Sequence, residues 1–473
     1  MKRFCTAFAA TQAAVRFVPR VRHALAAVAA SVAILGLGAC IEPPQQKGAS
    51  SSGTSDYNYT NVVIGAAGDA RVRLADVYQQ IDGFGASIPR NSWTLADDPA
   101  DLLFSPEKGA GLSLARIALV CLSIPCESWE YQPAHQAQIR GAKVWAAPWS
   151  PPASYKTPAR MNGMDSTGAC CTNTSLLPAN YQGWANALAA FITAAKNNDP
   201  SVTIQALSVQ NEPDYVSMSD SCYWEPAELL TFTRDFLLPA VAAVDPSVRI
   251  IAPETHSWAD LRAYAQPFID DATLGTKLTV LATHSYDAQD WFTYAEAFAA
   301  GKSVWQSGAV IEAQPDDTSM SAALRLATLM HWNLTQNNVS AWSYEYLVGS
   351  TGLLSAGGEA TKRLWAFGNF SRFVRPGFVR VGVQGTLRAG VYVSAFEDVA
   401  SGRLEVVAIN AGSGSVSQRF IFDDFTAVEV TPFVTSADAD LAEQPVVTAG
   451  SYFDFVLPAM SVTTFEGLVG VAE

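Results

Sequence analysis

The chain has 473 residues, 49% of them apolar, with 12 Trp and 23 Phe, which is enough length for one large domain plus a smaller one and enough bulk for an extensive core. Its formal charge of −14 argues against nucleic acid as a partner, because release of phosphate counterions needs a basic face. The seven Cys and five His show no metal-ligand spacing and do not cluster, so no metal and no cofactor is expected.

The first 39 residues carry Lys2, Arg3, Arg16, Arg20 and Arg22 and no acid, and then run through "ALAAVAASVAILGLGAC" to Cys40. That is the layout of an export signal. "LGAC" resembles a bacterial lipobox, which implies that Cys40 is lipid-modified and becomes the new N-terminus. The alternatives are an uncleaved N-terminal helix and a plain secretory signal. The basic stretch is long for such a signal, which allows a true start downstream of Met1. On this reading 1–39 is a lipoprotein signal peptide and the mature protein sits in the bacterial cell envelope, facing the periplasm or outward. Its membrane contact is then through the anchor, and it is expected to be a monomer. Five of the 30 basic residues and none of the 44 acidic ones lie in that segment. The exported form is therefore more acidic still, and a neutral polymer suits it better than an anionic one. Residues 40–60, rich in Ser, Gly and Pro, read as a flexible tether.

From 61 to 75, "NVVIGAAGDARVRLA" alternates as a strand does. Between 76 and 375, short apolar runs alternate with amphipathic segments, the sign of βα units around a parallel sheet. The runs are "YQQIDGFGAS", "LSLARIAL", "AKVWAAPWSPP", "IQALSVQNEPD", "VRIIAPETH", "LTVLATHSYD", "KSVWQSG" and "VSAWSYEYL". Eight such strands close into a (β/α)8 TIM barrel. The intervening "NYQGWANALAAFITAAKNND" places Trp184, Leu188, Phe191, Ile192 and Ala195 on one helical face, and "SMSAALRLATLMHWNL" does so with Met320, Leu324, Ala327 and His331. Those stripes are packing, and His331 is read as a structural histidine. From 376 to 473 the pattern has period two with turns, an antiparallel β-sandwich, to which 61–75 adds a strand. The fold class is α/β, a barrel with a fused antiparallel β-sandwich domain.

In such a barrel the active site lies where the strands end. The strand-end residues are Arg116, Trp149, Asn211, Glu212, Glu254, His284, Tyr286, Gly308, Trp342 and Tyr344. In "LSVQNEPD" an apolar strand runs straight into Asn211 and Glu212, and a carboxyl at that mouth, walled by aromatic and apolar groups, suits a general acid. The plain alternative is an Asn-Glu pair capping the next helix. A Gly-rich nucleotide site at "GFGAS" lacks the third glycine and the later acid that such a site needs.

"IDGFGAS", "AAPWSPPASYK", "LSVQNEPDY", "THSYD", "RFVRPGFVR" and "LPAMSVTTF" resemble, in order and spacing from about residue 78 to 467, glycoside hydrolase family 30. The resemblance implies a barrel fused to a β-sandwich, a retaining mechanism and hydrolysis of β-linked glycans. It implies that Glu212 is the acid/base and that Asn211 holds the sugar 2-hydroxyl or the nucleophile. Arg116, Trp149, His284, Tyr286 and Trp342 would line the subsite where cleavage occurs, with Tyr344 also at that rim. In that family the seventh strand ends with Trp, two residues, then the nucleophilic Glu. Here those positions hold Trp305, Gln306, Ser307 and Gly308.

A retaining glycosidase needs two carboxyls roughly 5 to 5.5 Å apart, and Gly308 supplies none. Three readings follow. Catalysis is lost although sugar binding remains, with Gly308→Glu restoring it. Alternatively Glu312, from "AVIEAQPDD", takes over and the reaction inverts, whereas Glu312, Asp316 and Asp317 also read as solvated loop acids. In the third, the protein is a surface-tethered glycan-binding relative without chemistry. Trp149, Tyr155, Trp224, Trp291 and Trp342 offer faces for sugar rings. "YEYLVGSTG" after the eighth strand has Glu345 and no Arg, which favours a neutral β-glycan: unbranched xylan, a β-1,6-linked galactan or a glucan. Cys121, Cys126, Cys170, Cys171 and Cys222 are disulfide candidates on neighbouring mouth loops. The expected pairs are Cys121 with Cys126, and Cys222 with Cys170 or Cys171.

Overall fold

Eight short parallel strands hydrogen-bond in chain order and close on themselves. In the computed structural model they are β1 (Gly83–Ser87), β2 (Leu114–Leu119), β3 (Lys143–Pro148), β4 (Ile204–Ser208), β5 (Arg249–Thr255), β6 (Val280–Ser285), β7 (Ser303–Ala309) and β8 (Ala341–Tyr344). The ring is sealed where Tyr344 of β8 pairs with Ala86 of β1. The structure describes residues 68–90, 94–163, 173–286, 292–311 and 317–470. The signal segment with Cys40, the tether, residues 61–67, Cys170, Cys171, Trp291, Glu312 and Asp316 lie outside the described residues.

The strands are apolar on both faces because both are covered, as a parallel sheet requires. Outside lie helices such as Tyr181–Lys196, which buries Trp184, Leu188, Phe191, Ile192 and Ala195, and Met320–Thr335, started by the Ser319 hydroxyl accepting from the Ala322 amide. Inside, Leu114, Trp145, Ala147, Ala206, Ile251, Val280, Ala282, Trp305 and Ala341 form a separate cluster that fills the lumen. The Trp145 and Trp305 rings meet edge to face with centroids 6.0 Å apart. Below them the Trp305 indole donates to Asp82 at 2.7 Å, and Asp82 also pairs with Arg249 at 3.2 Å. The floor of the barrel is therefore a packed plug, not a channel.

The second layer is one hydrogen-bonded sheet of ten strands. An interior strand, Ala70–Gln80, third from one edge, precedes the barrel in the chain and pairs antiparallel with Val379–Gln384 and parallel with Val416–Phe422. The run expected as a single barrel strand from 78 thus splits: Tyr78–Gln80 belongs to the side sheet and β1 begins at Gly83. The split is fixed by Ile81, whose amide bonds the Phe378 carbonyl at 2.7 Å, and Asp82, whose amide bonds the Ser340 carbonyl at 2.6 Å. Phe420 and Phe453, directly paired on neighbouring strands, have ring centroids 4.7 Å apart, and both lie within 5.0 Å of Phe465 on a strand far along the sheet, so distant strands come face to face. The continuous sheet therefore folds over a single aromatic core, as two layers of a sandwich do.

Two helices, Met320–Thr335 and Lys362–Ser371, join the sheet to the barrel. The Asn369 amide donates to the Phe433 carbonyl at 2.9 Å and to the Thr464 hydroxyl at 3.0 Å. His331 sits in this seam, 5.5 Å from the Tyr392 ring. Burial pushes its imidazole down to about 3, with Arg380 adding to the effect.

Candidate active site

At the C-terminal end of the barrel the lumen turns from aromatic to charged. Arg116 on β2 is 1% exposed, and its guanidinium carbon lies 5.0 Å from the Trp145 ring and 4.6 Å from the Trp149 ring. Its Nη2 is 2.9 Å from Glu254 Oε1 and also donates to Asn211 Oδ1, while Nη1 is 3.4 Å from Glu345 Oε2. One planar cation thus reaches groups from β4, β5 and β8. Burial opposes its charge, but Glu254 and then Glu345 outweigh that and hold its pKa above the usual arginine value.

His284, at the end of β6, is wholly buried and lies between two carboxylates. Its Nδ1 is 3.0 Å from Glu212 Oε1 and its Nε2 is 3.1 Å from Glu254 Oε1. Burial alone would drive the imidazole down, but the hydrogen bonds to Glu212 and Glu254 reverse this and raise it to about 9. At neutral pH the ring is charged and donates from both nitrogens. Glu254 is also sealed. Burial would raise its carboxyl, and Arg116 first, then His284, hold it below the usual carboxylate range.

Glu212 is different in kind. Its side chain keeps 17% exposure against 0% for Glu254, and its backbone stands at φ +50°, a left-handed conformation that costs a residue with a Cβ roughly 1–2 kcal/mol. Neighbouring bonds hold it there: the Asn211 amide to the Pro148 carbonyl and the Glu212 amide to the Glu254 carbonyl, both 2.9 Å. Two residues on, burial raises the Asp214 carboxyl to about 7 while it accepts from the His256 amide at 2.8 Å.

Two strand irregularities aim these groups. On β5 the pairing with β6 shifts register between Ile251 and Glu254, so both face the lumen although three residues apart in a period-two strand. On β7 a shift between Gln306 and Gly308 does the same for Trp305 and Gly308. A Cβ on Gly308 would meet Tyr286 Oη at 2.8 Å, His284 Cδ2 at 3.0 Å and Glu345 Oε2 at 3.1 Å. Gly308 therefore sits among the site residues, and the room a side chain would need there is occupied. The Tyr286 hydroxyl donates to Glu345 Oε2 at 3.1 Å. Burial, followed by the charge of Glu345, pushes that phenol far above its ordinary value.

The structure thus brings together Arg116, Trp149, Asn211, Glu212, His284, Tyr286 and Gly308. It does not bring in Trp342 and Tyr344. Ala341 belongs to the lumen cluster, so alternation along β8 sends Ser343 and Glu345 inward and Trp342 and Tyr344 outward. The Trp342 indole donates to Asn333 Oδ1 in the helix Met320–Thr335 at 2.8 Å, and its ring lies 5.7 Å from Phe367. The Tyr344 hydroxyl donates to the Thr351 carbonyl at 2.8 Å. The expectation that these two line the sugar site is corrected: both are core packing. Trp224 is also core, 1% exposed against Tyr181 and Phe232.

Three residues were missed. A strand-end reading gives Glu254 no role, weighs Glu345 only against an Arg at that place, and does not reach Arg90. The Arg90 guanidinium carbon lies 4.7 Å from the centre of the Trp149 ring, and Arg90 pairs with Asp220 at 3.1 Å. The signal for Glu345 was parity: in "AWSYEY" the bulky apolar rings occupy the alternate positions that face a helical layer.

Cys121 and Cys126 form a disulfide on the loop after β2. Cys170 and Cys171, the expected partners of Cys222, lie outside the described residues; among the described residues Cys222 is a buried free thiol. Its side chain points into the apolar layer beside Trp224, where burial pushes the thiol up to about 12. A cavity of 490 Å3 lies elsewhere, beside the N-terminal end of β5, lined by Leu238, Val241, Val248, Ile250 and Leu274.

No family model matches the chain. Glucuronoxylanase XynC of Bacillus subtilis (strain 168) is 31% identical over 413 residues, which span 85% of this chain and 92% of the relative. The chain belongs to glycoside hydrolase family 30. The solved family 30 subfamily 8 xylanase Xyn30A from Clostridium acetobutylicum matches with a TM-score of 0.75 at 28% identity, over 85% of this chain and 99% of that one. The GH30 endoxylanase from Clostridium papyrosolvens C71 gives 0.71 and 29%, over 85% and 100%. Family 30 membership makes the protein a glycoside hydrolase, and it agrees with the closed barrel and side sheet described above. In this family 30 enzyme the mouth of the barrel carries a charged His284 and Arg116 beneath two partly exposed carboxyls, Glu212 and Glu345.

Proposed function

We propose that the protein cleaves the main chain of a neutral xylan-type β-glycan, with Glu212 as the general acid that protonates the departing glycosidic oxygen. The observation that carries this reading is the pairing of Glu212 with His284: the acid is partly exposed at the end of β4, while the group that orients it is buried. His284 fixes the carboxyl from behind through Oε1, and the exposed side of Glu212 faces the mouth, where a substrate would take up its proton. Trp149, a partly exposed aromatic whose ring centroid lies 4.6 Å from Arg116 and 4.7 Å from Arg90, offers apolar surface at the mouth for a pyranose ring.

Two features support a neutral substrate. Arg116 is committed to Glu254 and Arg90 to Asp220, so neither of these mouth cations stands ready for an acidic branch. Xylan is favoured over other β-glycans by the relatives, which are described as xylanases and a glucuronoxylanase.

The test is reducing-end release from unbranched xylan, glucuronoxylan, β-1,6-galactan and β-1,6-glucan by the intact protein and by Glu212→Gln. Cleavage of unbranched xylan that falls by about 10²- to 10⁴-fold in the variant is expected. Equal activity in the variant, or no cleavage of any of the four, rejects the reading. The export layout of residues 1–39 supports a further proposal, that the enzyme is tethered to the envelope through Cys40. Cys40→Ser should release it from the membrane fraction, and unchanged membrane retention would count against the anchor.

A further inference from the structure

We propose that Glu345 is the carboxylate that attacks the anomeric carbon, standing in for the side chain that Gly308 lacks. The inference rests on the glycan-hydrolase reading and names the second acid which that reading requires.

Glycoside cleavage of this kind uses two carboxyls on either side of the scissile bond. Among the described residues, the acids that Arg116 and His284 gather at the mouth are Glu212, Glu254 and Glu345. Glu254 has no exposed surface, and its Oε1 is taken by both Arg116 and His284, so it cannot reach a sugar. Glu345 keeps 20% exposure, close to the 17% of Glu212. The two follow β8 and β4, which stand across the ring from one another in the closed eight-strand order. A substrate between them meets one acid from each side.

The surroundings of Glu345 fit a nucleophile. Its Oε2 accepts from the Tyr286 hydroxyl at 3.1 Å and lies 3.4 Å from Arg116 Nη1 and 3.5 Å from the Ser87 hydroxyl. Among the described residues nothing donates to its Oε1. One oxygen is thus anchored and the other is free to form a bond. Its backbone is fixed too, the Glu345 amide donating to the Ala309 carbonyl of β7 at 2.9 Å.

Position explains why the glycine is tolerated. The anchored oxygen lies 3.1 Å from the point where a Cβ on Gly308 would be. The carboxylate of Glu345 therefore fills, from the neighbouring strand, the space that a side chain at Gly308 would enter. The chemistry closes as two displacements. Glu345 Oε1 bonds to the anomeric carbon as that carbon's bond to the leaving oxygen breaks, and Glu212 gives its proton to the departing oxygen. Water then returns a proton to Glu212, its oxygen bonds to the anomeric carbon, and the ester to Glu345 breaks to restore the carboxylate.

The decisive experiment uses the intact protein and a 2-deoxy-2-fluoro-xylobioside with a dinitrophenolate leaving group. Peptide mass spectrometry should find the fluoroglycosyl mass on Glu345. A label on any other residue, or inverted product by NMR, overturns the proposal. Glu345→Gln should lose roughly 10⁴-fold or more in kcat with an unchanged melting temperature. Glu345→Gly should regain turnover with added azide, and the double variant Gly308→Glu, Glu345→Gly should regain it without. Gly308→Glu alone should not raise activity. If wild type cleaves xylan and Glu345→Gln cleaves it within tenfold, this inference fails and the hydrolase reading stands. If wild type neither cleaves nor labels, both fail.

Discussion

Arg116 and Glu254 form an ion pair of 2.9 Å in which neither side chain has more than 1% of its surface in contact with solvent. Such a pair is weak evidence of net stability, but removing one partner strands the other charge in a low-dielectric interior, at a cost of about 3–5 kcal/mol. Glu254→Gln keeps the shape and removes the charge. Its urea unfolding midpoint should therefore fall by the equivalent of about 3 kcal/mol, and a change of less than about 1 kcal/mol would show that water or Glu345 already compensates Arg116.

The imidazole of His284 makes stability depend on pH with a definite sign. Its pKa is near the ordinary 6.5 in the unfolded chain and raised to about 9 in the folded one. The folded state therefore binds this proton more tightly. The contribution is complete below about pH 6.5 and is lost as pH rises through about 9. Urea midpoints should fall between pH 7 and pH 10, and His284→Gln should remove this component of the slope. A rise in stability over that interval would contradict it.

Trp342 and Trp149 should separate cleanly in mutants because they face opposite ways. Trp342→Phe leaves Asn333 Oδ1 without its donor in a buried layer, which costs about 1–3 kcal/mol. The xylan KM should not change. Trp149→Ala should do the reverse, raising KM several-fold with a smaller loss of stability. A raised KM in Trp342→Phe would place that ring in the lumen after all.

The disulfide between Cys121 and Cys126 closes a loop with a sequence separation of 5, so it removes little freedom from the unfolded chain. By loop entropy it contributes about 2 kcal/mol. Cys121→Ser with Cys126→Ser should lower the unfolding free energy by that amount or less. Iodoacetamide should leave the native buried thiol of Cys222 unmodified and label it after unfolding.

The barrel was readable because its strands are short apolar runs spaced by amphipathic helices, a pattern set by burial on both faces of a parallel sheet. The place of Glu212 at the mouth is legible for a related reason: it follows the apolar run of β4. Trp342 and Tyr344 were misjudged because a strand-end list ignores parity, and on β8 alternation from Ala341 gives the lumen to Ser343 and Glu345. Glu254 and Gly308 face inward through register shifts on β5 and β7, and a period-two reading has no means of seeing an inserted residue.

The strand Ala70–Gln80 lies inside the side sheet with a partner on each side, and Arg71 bonds Asp423 across a sequence separation of 352. A nascent chain emerging from the ribosome carries this segment long before either of its neighbours exists. Contacts of such long range slow folding and leave apolar edges open meanwhile. Maturation must then wait for the last hundred or so residues, and any premature stop within them would leave a leading segment with nothing to pair with, a natural target for quality-control proteases.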